Sequence, residues 1–143
     1  MNAVKLLKKD HDRVKSLFRK FENAGERSSQ RTGLAEKIFD ELEAHTTIEE
    51  ELFYPAVAEI DRELVSESIN DHTAVSDLIR ELRGMEPDDE EYAEKFQRLI
   101  ESVESHAEEE ERQMFPEAEE RLSEQLNRLG DEMKQRKDEL ISA

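Results

Sequence analysis

The sequence predicts an all-α protein: an up-down-up-down four-helix bundle with a pseudo-twofold internal repeat and a short C-terminal fifth helix. Three observations predict it. The 143 residues include 4 Gly and 3 Pro, enough punctuation for a few long helices and too little for many short strands. Charged residues make up 41% against 35% hydrophobic, the balance of long helices that each bury one stripe. Apolar residues recur at helical spacing through four long segments.

The first helix is expected over residues 2 to 23, where Leu7, His11, Val14, Phe18 and Phe21 share one face. A polar connection, 23 to 33, leads to a second helix from about Leu34 to Ile60. Its stripe is Ile38, Leu42, His45, Glu49, Leu52 and Ala56. A third runs from about Val65 to Arg83 through Val65, Ile69, His72, Val75, Ile79 and Leu82. "GMEPDD" is the clearest turn, and Asp88 is the expected N-cap of the fourth helix. There the stripe is Phe96, Leu99, Val103, His106, Glu110 and Met114. Pro55 should bend the second helix, and Pro116 should bend the fourth or end it. Ser123 would cap a fifth helix carrying Leu126, Leu129, Met133 and Leu140, which packs on the bundle or mediates dimerisation. Gly130 is unfavourable inside it. Residues 1–143 read as one domain, with the bundle over about 2–120 and the C-terminal helix over about 123–142.

Aligning the four histidines exposes the repeat. His11 to His72 is 72 − 11 = 61 residues, and His45 to His106 is 106 − 45 = 61. The same offset carries Asp10 to Asp71, Val14 to Val75, Glu49 to Glu110, Tyr54 to Phe115 and Pro55 to Pro116. "HTTIEEELFYP" and "HAEEEERQMFP" are therefore one element used twice.

A lone histidine on an apolar helix face is usually a hydrogen-bonded core residue. Four of them, on four helices and paired by one offset, point to a shared site. His11 lies about 12 residues before the first link and His45 about 12 after it, both roughly 18 Å from that end at about 1.5 Å per residue. Glu49 and Glu110 follow His45 and His106 by one turn, where the helix expects a core side chain. An unpaired carboxylate there is costly unless a cation compensates it. Glu50, Glu51, Glu108, Glu109 and Glu111 fall off the stripe and read mainly as solvated surface. Phe18, Phe53 and Met114 read as core, and Tyr54 as packing rather than redox-active.

Four imidazoles and two carboxylates without a thiolate suit iron, manganese or zinc, and two shared carboxylates favour a pair of ions. Two six-coordinate ions would retain a position each for an outside ligand. A closed four-coordinate zinc site would not need all six side chains. A ferritin-type site is excluded: it needs Glu three residues before His, where Lys8, Leu42, Ile69 and Val103 stand.

With "DHDRVK", "HTTIEEELFYP", "NDHTAV" and "HAEEEERQMFP", the chain resembles the bacterial haemerythrin-like, His-His-Glu cation-binding family over roughly residues 3 to 120. The tail "RKDEL" resembles that family's C-terminal helix. The resemblance implies a four-helix bundle around two Fe ions, in an oxo- or hydroxo-bridged di-iron centre. It implies His11 and His45 on one iron, His72 and His106 on the other, and Glu49 and Glu110 as bridges. The chain departs from the oxygen carriers at Ser76, one turn after His72, and at the Glu110 bridge, and from many bacterial relatives at Ser105.

The implied ligand is a small diatomic molecule (O2 or NO) or peroxide, bound or sensed. The alternatives are a di-iron peroxidase or catalase-like enzyme, and an iron-binding or metal-free acidic bundle for partner interaction. Net charge of −17 argues against nucleic acid and anionic membranes. With no cysteine, disulfides and thiol catalysis are excluded. No apolar run approaches a membrane span and no signal peptide is visible, so cytoplasmic residence is expected, as a monomer or weak homodimer.

Overall fold

The computed structural model describes residues 1–25 and 28–142. Helix α1, Ala3–Asn23, opens where the Asn2 side chain accepts the Lys5 N–H at 2.9 Å. Helix α2, Ser28–Ile48, runs into a π-helical turn, Glu49–Phe53, and then into α3, Tyr54–Ala58. Helix α4, Arg62–Arg83, is capped by Asp61 on the Leu64 N–H at 3.1 Å. Helix α5, Glu90–Glu109, repeats the pattern: a second π turn, Glu110–Met114, and then α6, Phe115–Arg121. Helix α7, Leu126–Ser142, closes the chain, and no strand occurs among the described residues.

The predicted all-α bundle with a C-terminal extra helix is what forms. Several boundaries differ. Within the expected connection 23 to 33, residues 26 and 27 lie outside the described residues, and α2 already begins at Ser28. Asp89, not Asp88, caps the fourth long helix, accepting the Glu91 N–H at 2.9 Å. The fifth helix starts at Leu126 rather than after a Ser123 cap. It packs on α1 and α2, the first of the two alternatives. In α4, Ile69 is exposed, and Ser68 takes the buried place expected for it.

The prolines do not end their helices. Pro55 and Pro116 each stand in the first turn of the short helix after a π turn. Inserting one residue lets the Tyr54 N–H reach the Glu49 carbonyl, and the Phe115 N–H reach that of Glu110, where an α-helix would use the residue one later.

Two apolar clusters stabilise the bundle. One gathers Leu7, Ile48, Phe53, Met114 and Phe115 with Leu126, Leu129 and Met133 of α7. The other gathers Phe18, Phe21, Ile38, Phe39, Ile79, Phe96 and Leu99. On each long helix the histidine falls between the residues that feed one cluster and those that feed the other. The histidines thus lie in a polar layer between two dry ones. Gly130 is explained by close approach: a Cβ there would lie 2.2 Å from the Met1 carbonyl oxygen.

Candidate metal centre

All six predicted side chains converge. His11, His45, Glu49 and Glu110 offer ligand-type atoms within 4.8 Å of one another, and so do Glu49, His72, His106 and Glu110. The two groups share both glutamates. Glu49 Oε1 lies 3.2 Å from His45 Nε2 and 3.1 Å from His72 Nε2. Glu110 Oε1 lies 3.2 Å from His11 Nε2, and its Oε2 lies 3.4 Å from His106 Nε2. Each carboxylate therefore spans a histidine of one hairpin and a histidine of the other. The i, i+4 spacing puts each glutamate on the face of its own histidine, and the antiparallel neighbour supplies the second imidazole.

Every inward Nε2 is matched by an outward Nδ1 on a carboxylate. His11 Nδ1 is 2.7 Å from Glu111, His45 Nδ1 3.0 Å from Asp10, His72 Nδ1 2.7 Å from Glu50 and His106 Nδ1 2.9 Å from Asp71. These partners also obey the repeat: 71 − 10 = 61 and 111 − 50 = 61. A carboxylate on Nδ1–H fixes the tautomer that leaves the Nε2 lone pair facing the centre. The expectation that Glu50 and Glu111 are mere solvated surface is thereby corrected, although each keeps part of its side chain in water.

Tyr54 is likewise more than packing. Its hydroxyl donates to Glu110, and lies 3.3 Å from Glu49 Oε1, 3.1 Å from His72 Nε2 and 3.3 Å from His106 Nε2. Phe18, Phe53 and Met114 are core, as expected. Ser76 and Ser105 are exposed and take no place in the cluster.

The donors fit a cation. Glu49 is 0% and Glu110 2% exposed. Among the described residues, four buried side-chain polar atoms lack a hydrogen-bond partner, and three of them are His45 Nε2, Glu49 Oε2 and Glu110 Oε1. Orphaned buried acceptors are rare because each costs desolvation without return. Here all three belong to side chains of one cluster.

The electrostatics agree. Burial opposes charge on His45, but the Glu49 carboxylate and Asp10 outweigh it and hold the imidazole well above its usual pKa. Glu49 and Glu50 raise His72 against the same burial. Glu110 and Glu49 push His106 up to about 9. Burial would raise the Glu49 carboxyl, yet His45 and His72 hold it well below the carboxylate range. Burial, with Glu49 and Glu110 beside it, raises the Tyr54 hydroxyl far above its usual value. The cluster thus favours bound positive charge, whether as protons or as a cation.

A cavity of about 30 Å³ adjoins the cluster, lined by all four histidines with Val14, Leu42, Val75 and Val103. A water needs ~10–15 Å³ by this measure, so the space suits a very small molecule.

A helical bundle that buries paired imidazoles around shared carboxylates is the scaffold of a metal-binding protein. The chain belongs to the Hemerythrin HHE cation binding domain family, whose profile matches residues 2–118. It is 33% identical over 118 residues to the uncharacterized protein Rv2633c of Mycobacterium tuberculosis H37Rv, covering 81% of this chain and 71% of that one. The same figures hold for the uncharacterized protein Mb2666c of Mycobacterium bovis. Its fold is similar to the crystal structure of the Rv2633c homolog from Mycobacterium kansasii, a hemerythrin HHE cation binding domain-containing protein. The TM-score is 0.84 at 30% identity, covering 98% of this chain and 87% of that one. Among the described residues no helix is long and apolar enough to cross a membrane.

Proposed function

We propose that this is a non-haem di-iron protein that binds or senses O2, NO or peroxide. The carrying observation is that two four-residue donor groups share Glu49 and Glu110. On this reading His11 and His45 would hold one iron and His72 and His106 the other, with Glu49 and Glu110 available to both. Nitrogen and oxygen donors without thiolate suit iron, and a single four-coordinate zinc would leave donors unused.

Bound iron would supply redox capacity and Lewis acidity at positions the protein donors leave free. The chain's own residues do the rest. Asp10, Asp71, Glu50 and Glu111 orient the four imidazoles. Val14, Leu42, Val75 and Val103 bound a space that admits small ligands. Tyr54 places an O–H donor beside both glutamates.

Metal analysis tests the reading. Anaerobic reconstitution should yield about two irons per chain, and His45→Ala should lower that number. No iron in the wild type, or unchanged iron in His45→Ala, would sink it. Stopped-flow mixing of the reduced protein with oxygen then separates ligands: lasting, reversible oxygen uptake would mark a carrier rather than a redox-active site.

The Tyr54 hydroxyl favours a second reading, a peroxide-consuming enzyme. A hydroxyl that keeps its proton at the centre can donate a hydrogen bond to the leaving oxygen in O–O bond cleavage. Peroxide turnover above that of free iron supports this reading, and its absence removes it.

A further inference from the structure

The repeat makes the two ends of the cluster look equivalent, but one long-range contact breaks the equivalence. Asp10 and Asp71 are repeat partners, and each holds the Nδ1 of a histidine. The Asp71 side chain is 46% exposed, and among the described residues no lysine or arginine ion pair reaches it. The Asp10 side chain is 6% exposed, and Lys137 of α7 seats its ammonium 2.6 Å from Asp10 Oδ1. The same Nζ lies 3.3 Å from Glu41 Oε2.

Asp10 is therefore held at both oxygens. Oδ1 accepts from Lys137, and Oδ2 accepts from His45. It cannot rotate without breaking one bond. Lys137 is itself buried, so leaving Asp10 would strand a buried charge. Helix α7 adds two more attachments nearby. Arg136 grips Glu51 of the first π turn at 3.0 and 3.3 Å, and Gly130 lies against the backbone of Met1–Ala3. The ion pairs from Arg136 and Lys137 to the bundle thus go to α1, α2 and the first π turn, the segments that carry His11, His45 and Glu49.

We propose that Lys137 is a positioning residue for the His11/His45 end of the centre. Acting through Asp10, it fixes the His45 ring, so that docking of α7 and occupancy of that metal position stabilise each other. The proposal rests on the two-metal reading. Coupling of this kind is reciprocal: whatever factor α7 adds to metal affinity, the metal returns to α7. Outer partners of metal-bound histidines typically contribute 10–100-fold in affinity.

The test uses the full chain, with Fe(II) titrated anaerobically and with amide hydrogen exchange across α7. Wild type should bind two ions, and exchange in residues 126–142 should slow about tenfold on loading. Lys137→Met should weaken one binding step 10–100-fold, spare the other, and abolish the metal-dependent protection of α7. Arg136→Ala, which removes only an exposed ion pair of α7 and leaves Lys137 seated on Asp10, should leave both steps unchanged.

Two steps equal to wild type in Lys137→Met, or two that fall together, overturn the proposal. So does an Arg136→Ala protein that behaves like Lys137→Met. Should Lys137→Met not fold, the wild-type exchange measurement decides alone, because absent protection refutes the coupling. A wild type that takes up no iron refutes the parent reading instead.

Discussion

Tyr54 and Phe115 are repeat partners (115 − 54 = 61), but they meet the centre differently. The Tyr54 hydroxyl reaches Glu49, Glu110, His72 and His106, whereas the Phe115 ring stacks on His11 with centroids 5.7 Å apart. An oxygen thus stands at one histidine pair and a hydrocarbon face at the other. Tyr54→Phe makes the two alike. The six His and Glu donors remain, so iron content should stay near that of wild type. Any peroxide turnover of the loaded protein should fall by about 100-fold in the variant, because the O–H that would donate to the leaving oxygen is gone. Turnover equal to wild type would show that the hydroxyl takes no part in the reaction.

The four outward carboxylates predict a graded response to mutation. Glu111→Ala frees the His11 ring and Glu50→Ala the His72 ring. Each should weaken iron binding by about 10–100-fold while leaving the helical circular dichroism intact. Glu108→Ala, an exposed neighbour in the same acidic run, should change neither. Competition with a calibrated chelator measures all three. Equal affinities in Glu111→Ala and Glu108→Ala would return Glu111 to the solvated surface.

The sequence carried the bundle and the six converging side chains because both rest on regular periods. Apolar stripes marked the helices, and the 61-residue repeat selected Glu49 and Glu110 from glutamate runs in which spacing alone could not choose. What it could not carry rests on broken periods. In an unbroken α-helix, with about 3.6 residues per turn, Tyr54 would fall roughly opposite His45, nine residues earlier. The π turn between them changes that phase and brings the hydroxyl to the cluster. Glu50 and Glu111 belong to helices whose own stripes exclude them, and each serves a histidine on a different helix. Lys137 meets Asp10 across 137 − 10 = 127 residues, which no local pattern encodes. Asp88 and Asp89 are chemically equal caps, and the side-chain hydrogen bond to Glu91 shows which one serves.

Gly130 looked unfavourable inside a helix, and the reason for it lies at the other end of the chain. A Cβ at this position would sit 2.2 Å from Met1 O and 2.7 Å from the Asn2 carbonyl carbon, both backbone atoms. Alanine has the better helix propensity by about 1 kcal/mol, but backbone overlap outweighs that gain. Gly130→Ala should therefore lower the thermal midpoint and speed amide exchange in α7. A higher midpoint would show that the N-terminal segment moves aside without cost.

The cavity beside the histidines gives a prediction about ligand access that is independent of metal affinity. Val103 lines it, is only partly buried, and is none of the proposed ligands. Phenylalanine at this position adds a ring that a space of about 30 Å³ can hold only by filling it. Because Val103 is on the edge of the core, the ring has solvent on one side, and overpacking should cost less than the ~1–3 kcal/mol of a fully enclosed site. Val103→Phe should keep its iron while slowing the association of azide, used as a small anionic probe of the oxidised protein, by tenfold or more. Val75→Ala, which removes volume from the wall that α4 contributes, should leave that rate unchanged or raise it. Equal azide rates in Val103→Phe and wild type would mean that ligands reach the centre by another route, such as the Tyr54 side.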